Sequence, residues 1–312
     1  MYWQSFVFTG EIILPVFLLV VLGIFLRQRR VIDDHFVTVS SRLVFTLTLP
    51  VLVFLAIAKV RFDSGVHIEL IVFVALAILS SCLFSFVWAR FAGIDEDDVS
   101  AFVQGAFRGN LGIIGISMVV YAFGDQGTQI GALVLAVGVP AYNLLSVVVL
   151  ARGQGVNWSG QLLMIARNPL IIAIVLALPF SLFGWQLPKP LHSAASSLGQ
   201  MTLPLALISV GGTLDFGALR KANSTTLQMA LLKLVILPIL IVSAAIAMGF
   251  RGVELGVVAL MMACPTAAAA FVMAKAMGAN HVLTANAVAV STLGSMLTMG
   301  GIFYVLRIMS LL

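Results

Sequence analysis

Thr48-Leu49-Pro50 returns as Thr202-Leu203-Pro204, 154 residues further along the chain. The same offset carries Pro15 onto Pro169, Phe62 onto Phe216 and Gly124 onto Gly278. Leucine-rich segments coincide easily, but prolines and a glycine falling in one register are harder to obtain by accident. Twice 154 is nearly the whole length of 312 residues, so the chain divides into halves, 1–155 and 156–312.

Around this repeat the sequence is overwhelmingly apolar. Hydrophobic residues make up 61% and charged residues only 9% of the chain, whereas a soluble domain carries roughly 25% charged residues. Apolar runs recur along the whole length, each long enough to cross a hydrocarbon core about 30 Å thick. In the first half they cover 6–26, 36–58, 66–91, 99–123 and 128–151; in the second, 160–184, 190–214, 225–249, 254–277 and 282–306. None alternates as a barrel strand does, and a lone strand in lipid leaves its backbone unpaired, so each reads as a helix. The expected fold is an all-α integral membrane protein of about ten transmembrane helices, the two halves forming one membrane domain surrounded by lipid. Five spans per half is an odd number, so the second half enters the membrane inverted with respect to the first. Inverted repeats are a recurrent build of secondary transporters.

Charge gives orientation rather than a nucleic-acid partner. With the N-terminus outside, the cytoplasmic loops hold Arg27, Arg29, Arg30, Arg42, Arg90, Arg152, Arg167, Arg220, Lys221 and Lys275. The other side holds Lys59, Arg61, Lys189, Arg251 and Arg307. Ten against five places both termini on the non-cytoplasmic side. The start, Met1-Tyr2-Trp3-Gln4-Ser5, lacks a basic region and does not read as a signal peptide. Cys82 and Cys264 lie in apolar spans and read as small buried hydrophobes.

The chemistry concentrates at two matching points. The fourth span contains Arg108-Gly109-Asn110-Leu111-Gly112-Ile113-Ile114-Gly115, and the ninth Cys264-Pro265-Thr266-Ala267-Ala268. Glycines in one and a proline in the other, at equivalent depth, predict two discontinuous helices. Freed backbone groups in lipid have to be met by protein, water or ligand. Half-helices beginning near Asn110 and Pro265 aim positive ends at the bilayer centre, a place for an anion. Asn110 and Thr266 add side-chain donors. The competing reading makes the glycines a packing face and Pro265 a kink.

Arg108 is the one arginine deep in a span and a functional candidate by that fact. It either attracts or clamps a carboxylate, pairs with Glu11 or Asp125, or snorkels towards the cytoplasm. Asn143, after Pro140, either bonds a neighbouring helix or lines the same cavity. Lys233 reads as a snorkelling or structural charge, and Asp95-Glu96-Asp97-Asp98 as a solvated turn before the fourth span. The four histidines sit in loops or at span ends, and no metal cluster, cofactor motif or nucleotide loop is present in the sequence. An enzyme is not expected.

These residues resemble the auxin efflux carrier family, most closely its bacterial malate or malonate permease members. The resemblance runs from Ile13-Leu14-Pro15-Val16-Phe17 through Ser41-Arg42-Leu43-Val44-Phe45 and Leu49-Pro50. It continues in Phe107-Arg108-Gly109-Asn110-Leu111-Gly112, Arg167-Asn168-Pro169-Leu170-Ile171 and Pro265-Thr266-Ala267 with Ala274-Lys275 and Gly278. It implies two inverted five-helix repeats with broken helices four and nine crossing at the substrate site, an elevator-like motion of a transport part against a support part, and a homodimer. Gly109-Asn110 stands where plant members carry a proline-containing motif, and the long central hydrophilic loop of many plant carriers is replaced by a short turn after Arg152.

The expected function is secondary transport of a small organic anion, a carboxylate or auxin-like acid, across the inner membrane. The substrate residues expected are Arg108, Gly109, Asn110, Leu111, Gly112, Asn143, Cys264, Pro265, Thr266 and Ala267, with no cofactor. The alternatives are a sodium- or proton-coupled carrier of another solute class and a receptor or scaffold whose breaks are structural.

Overall fold

The computed structural model describes residues 2–59, 68–151, 160, 163, 166–214 and 222–312. Phe62, Phe216, Arg61, Arg152, Arg220 and Lys221 lie outside them. The described residues are helical, without a named strand. In chain order the helices are α1 (Tyr2–Gln28), α2 (Asp34–Ala58), α3 (Ile68–Phe91), α4 (Glu96–Phe107) and α5 (Leu111–Leu150). The second half follows with α6 (Pro169–Phe183), α7 (Lys189–Thr213), α8 (Ser224–Ala247), α9 (Gly252–Met262), α10 (Ala268–Ala276) and α11 (His281–Ile308).

Seven of these, α1, α2, α3, α5, α7, α8 and α11, are long and apolar enough to cross a membrane. The difference from ten expected spans has physical causes. The fourth and ninth apolar runs are each divided by a break, into α4 and the start of α5, and into α9 and α10. The end of the fourth run then joins the fifth within α5, where only Gly124 leaves helical geometry (φ 57°, ψ −139°). In the sixth run, expected over 160–184, residues 160, 163 and 166 are helical, and a further helix, α6, begins at Pro169. There Asn168 is extended, its Oδ1 accepts from Leu170 N at 2.9 Å, and proline takes the first helical position.

The repeat positions compare instructively. Gly124 and Gly278 both adopt positive φ, 57° and 71°, where a side chain would be strained. Thr48 and Thr202 are both fully buried, and neither hydroxyl finds a partner among the described residues. Pro15 and Pro169 share a register but differ in use: Pro15 lies inside α1, whereas Pro169 starts α6.

Proline also shapes α2 and α8. Pro50 lacks the N–H that would continue the ladder, and the turn before it, Val44–Thr48, widens into a π-helix. Leu232–Ile236 does the same ahead of Pro238.

Helices α1, α2, α6 and α7 pack chiefly on one another, while α3, α4, α5 and α8 to α11 gather around α4 and α9. Between α1 and α7 the backbones touch. A Cβ on Gly211 would lie 2.0 Å from the Val20 carbonyl oxygen, and one on Gly23 would lie 2.2 Å from that of Ile208. Small residues at such a crossing let dispersion and weak Cα–H···O contacts hold the helices where lipid supplies no hydrophobic drive. The outer faces remain apolar: α1 buries Ile13, Val16 and Phe17 yet exposes Leu14, Leu18, Val21 and Phe25. A helix apolar on both faces suits a lipid surround.

Candidate functional site

The break after α4 and the break after α9 meet. Arg108 leaves α4 with extended backbone (φ −79°, ψ 101°), and Ala267 precedes α10 in the same state (φ −69°, ψ 135°). Gly109 and Thr266 form an antiparallel bridge. Asn110 N donates to the Pro265 carbonyl at 2.7 Å, and Ala267 N to the Arg108 carbonyl at 3.1 Å. Extended backbone deep in an apolar body has to be hydrogen-bonded. Here each break supplies the partners of the other, a short strand pair inside an otherwise helical protein.

Side chains complete the joint. Thr266 Oγ1 donates to the Gly105 carbonyl at 2.8 Å, and Thr266 N donates to Ser291 Oγ of α11 at 3.0 Å. The threonine, expected to donate to a ligand, instead ties α4 to the second break at 1% exposure. Asn110, 7% exposed, makes no side-chain cap to α5, and its amide has no hydrogen-bond partner among the described residues. Of the Asn110 and Thr266 side chains, only that of Thr266 is bonded to protein.

Gly109 is where the groups converge. A Cβ placed on it would lie 2.7 Å from Cys264 Sγ, 2.9 Å from Lys233 Nζ and 3.4 Å from the Tyr142 hydroxyl. Only glycine leaves room for the sulfur and the ammonium together. Leu111, Pro265, Cys264 and Ala267 are buried around it, and Gly112 faces α2, its Cβ position 3.3 Å from Leu49 Cδ2.

Arg108 neither snorkels nor pairs with Glu11 or Asp125. Its guanidinium donates to the Tyr142 carbonyl at 3.1 Å, Ser146 Oγ at 2.8 Å and Asn143 Oδ1 at 2.7 Å, all on α5. Asp125 bonds Lys59 instead, at 3.3 Å, and Glu11 is exposed. Asn143 therefore joins the site as the acceptor that holds Arg108.

Lys233, expected to be a snorkelling or a structural charge, is buried beside the same joint. It does not snorkel: it is 2% exposed, and its Nζ donates to the Met262 carbonyl at 3.2 Å. That carbonyl is the last of α9, one of the groups a helix end leaves without an internal partner. The signal was present in the sequence, since a lysine well inside an apolar span meets the same criterion that singled out Arg108.

Two basic side chains thus stand at the joined breaks. Ion pairs among the described residues include Arg27–Asp34, Lys59–Asp125 and Arg90–Glu96; neither Arg108 nor Lys233 belongs to one. Burying a charge without an opposite partner costs several kcal/mol, and hydrogen bonds to neutral groups offset only part of that.

Comparison with known proteins gives this joint its context. A family described as "Membrane transport protein" matches over residues 8–159 and again over 156–303. An "Uncharacterized transporter" of Methanothermobacter thermautotrophicus is 25% identical over 300 residues, 94% of this chain and 97% of that one. The "Uncharacterized transporter YfdV" of Escherichia coli K12 is 22% identical over 97% of this chain and 99% of its own. A "Putative malonate transporter" of Rhizobium meliloti is 23% identical over 206 residues, 64% of each chain. With both halves matched by one family, the chain belongs to the membrane transport protein family, the auxin-efflux-carrier-like family that its motifs resemble.

Proposed function

We propose that this protein is a secondary carrier of a small organic anion, a mono- or dicarboxylate, bound at the joined breaks of α4 and α9. The observation that carries the reading is the pair of buried basic side chains, Arg108 and Lys233, with no acidic partner among the described residues. An anion between them would offset their mutual repulsion and the cost of burial. The α5 and α10 N-termini add partial positive charge, and the Asn110 amide adds a hydrogen bond. The name of the Rhizobium meliloti relative makes malonate the first substrate to try.

The halves are an inverted repeat in this reading. Equivalent helices support it: Asp34–Ala58 matches Lys189–Thr213, Ile68–Phe91 matches Ser224–Ala247, and Glu96–Phe107 matches Gly252–Met262 at nearly the offset of the Thr-Leu-Pro motif. The grouping of α1, α2, α6 and α7 apart from the helices around the breaks suits an elevator, with the former as support. Both termini face the non-cytoplasmic side of the inner membrane. Labelling of a cysteine introduced near each end by an impermeant reagent checks this, and protection of either end in intact cells contradicts it.

Uptake of radiolabelled carboxylates into proteoliposomes is the test. A saturable flux with counterflow is expected, and Arg108→Gln is expected to raise the KM for the anion by about tenfold. Absence of flux for every carboxylate, or a non-saturating conductance, overturns the carrier. An unchanged KM in Arg108→Gln removes that residue from the site.

A further inference from the structure

Lys233 does more than add positive potential. It occupies the π-helical turn Leu232–Ile236 of α8, so its side chain leaves the helix at a point where the ladder is widened. From there the ammonium reaches the break and donates to the Met262 carbonyl, at the negative end of the α9 dipole. In carriers built on discontinuous helices, carbonyls at such half-helix C-terminal ends are where a coupling cation is coordinated. Here a lysine amine already stands at that place, tethered to the chain. Gly109 makes the space for it, because the Nζ lies 2.9 Å from where a Cβ would sit. The charged and titratable groups around it are Arg108 at the end of α4, Tyr142 on α5 and Cys264 after α9. None of these carries a fixed negative charge that would call for a second, inorganic cation.

We propose that the Lys233 ammonium is a built-in substitute for a coupling cation, so that the protein carries its anion without sodium. This rests on the anion-carrier reading above. The lysine then serves two ends at once: it closes the α9 terminus and gives the anion a fixed counter-charge that moves with the breaks. An ammonium with hydrogen-bonding geometry does what a desolvated ion would do, and no ion has to be recruited before substrate binds.

The experiment compares malonate and related carboxylate uptake by wild type in sodium, potassium and choline chloride at equal ionic strength. Initial rates within about twofold of one another are expected, with Lys233→Met slowed by about tenfold in all three media and Lys233→Arg retaining part of the rate. Wild-type uptake stimulated by sodium beyond about twofold overturns the substitution while leaving the carrier intact. So does wild-type speed in Lys233→Met without sodium. No carboxylate flux in any medium defeats the carrier reading, and this proposal with it. Should Lys233→Met fail to yield monodisperse protein, radioactive sodium binding to purified wild type decides. None is expected, and stoichiometric binding overturns the proposal.

Discussion

At Gly109 a single missing side chain makes room for three others. Its missing Cβ is the point from which Cys264 Sγ, Lys233 Nζ and the Tyr142 hydroxyl are all close, at 2.7, 2.9 and 3.4 Å. The glycine does not need left-handed backbone, since it is absent from the positive-φ positions. It is needed for space. Gly109→Ala therefore overpacks the joint, with an expected cost of about 1–3 kcal/mol. Removing the sulfur with Cys264→Ala frees the nearest of the three contacts. The double variant is then expected to recover about half of what Gly109→Ala loses in thermal stability, a coupling of about 1 kcal/mol between residues in contact. Additive losses in a thermal unfolding series of the four proteins would show that the two positions do not share this space. Arg108 and Thr266 teach a related point. Both are buried polar groups that hydrogen-bond to protein: Arg108 makes three bonds to α5, and the Thr266 hydroxyl donates to the Gly105 carbonyl. A polar residue beside a helix break is thus as apt to hold the break together as to hold a ligand.

The elements show how backbone chemistry sets the packing that positions the site. Gly211 and Gly23 bring α1 and α7 into backbone contact, with Cβ positions 2.0 and 2.2 Å from facing carbonyl oxygens. Carbonyls cannot swing aside as side chains can, so Gly211→Ala has to push the helices apart. An apparent Tm lowered by about 1–3 kcal/mol equivalent is expected in detergent, against Gly301→Ala in α11, where nothing lies within 4 Å of the added methyl. The latter is expected to be neutral or to stabilise by about 1 kcal/mol through helix propensity. Equal Tm values for the two variants would dissolve the claim that α1 and α7 touch. The breaks were legible in the sequence because glycine and proline disrupt helices locally, by steric and hydrogen-bonding rules that need no tertiary context. The start of α6 at Pro169 carried a local signal too, Asn168 before the proline, but hydropathy averages over a whole run and passes across such a cap. What no local rule carries is the partner of Arg108. Asn143 and Ser146 lie 35 and 38 residues away on α5, beyond the turn at Gly124. Lys233 meets its carbonyl only because α8 packs beside α9.

Across the whole molecule the question is whether the helices around the breaks move as one body. The beginning of α1 and the end of α11 lie together, the Arg307 guanidinium 3.5 Å from the Phe8 ring centroid and Phe8 stacked on Phe303 at 6.4 Å. Both groups of helices thus share a contact region besides the one at the breaks. At the breaks, Gly112 of α5 faces Leu49 of α2, with a Cβ position 3.3 Å from Leu49 Cδ2. An elevator has to slide at this seam, because α2 belongs to the proposed support and the joined breaks to the moving part. A short tether across it should therefore stop transport without altering the binding groups themselves. In a background of Cys82→Ala and Cys264→Ala, the pair Leu49→Cys and Gly112→Cys provides that tether when oxidised or bridged by a short dithiol reagent. Initial uptake is expected to fall by about tenfold on cross-linking and to return on reduction, while either single cysteine variant is indifferent to the treatment. Anion binding, read by thermal shift on the cross-linked protein, is expected to survive, because Arg108, Asn110 and Lys233 keep their places. Full cross-linking with undiminished uptake would mean that this seam does not slide, and alternating access would then have to come from gating within the helices around the breaks.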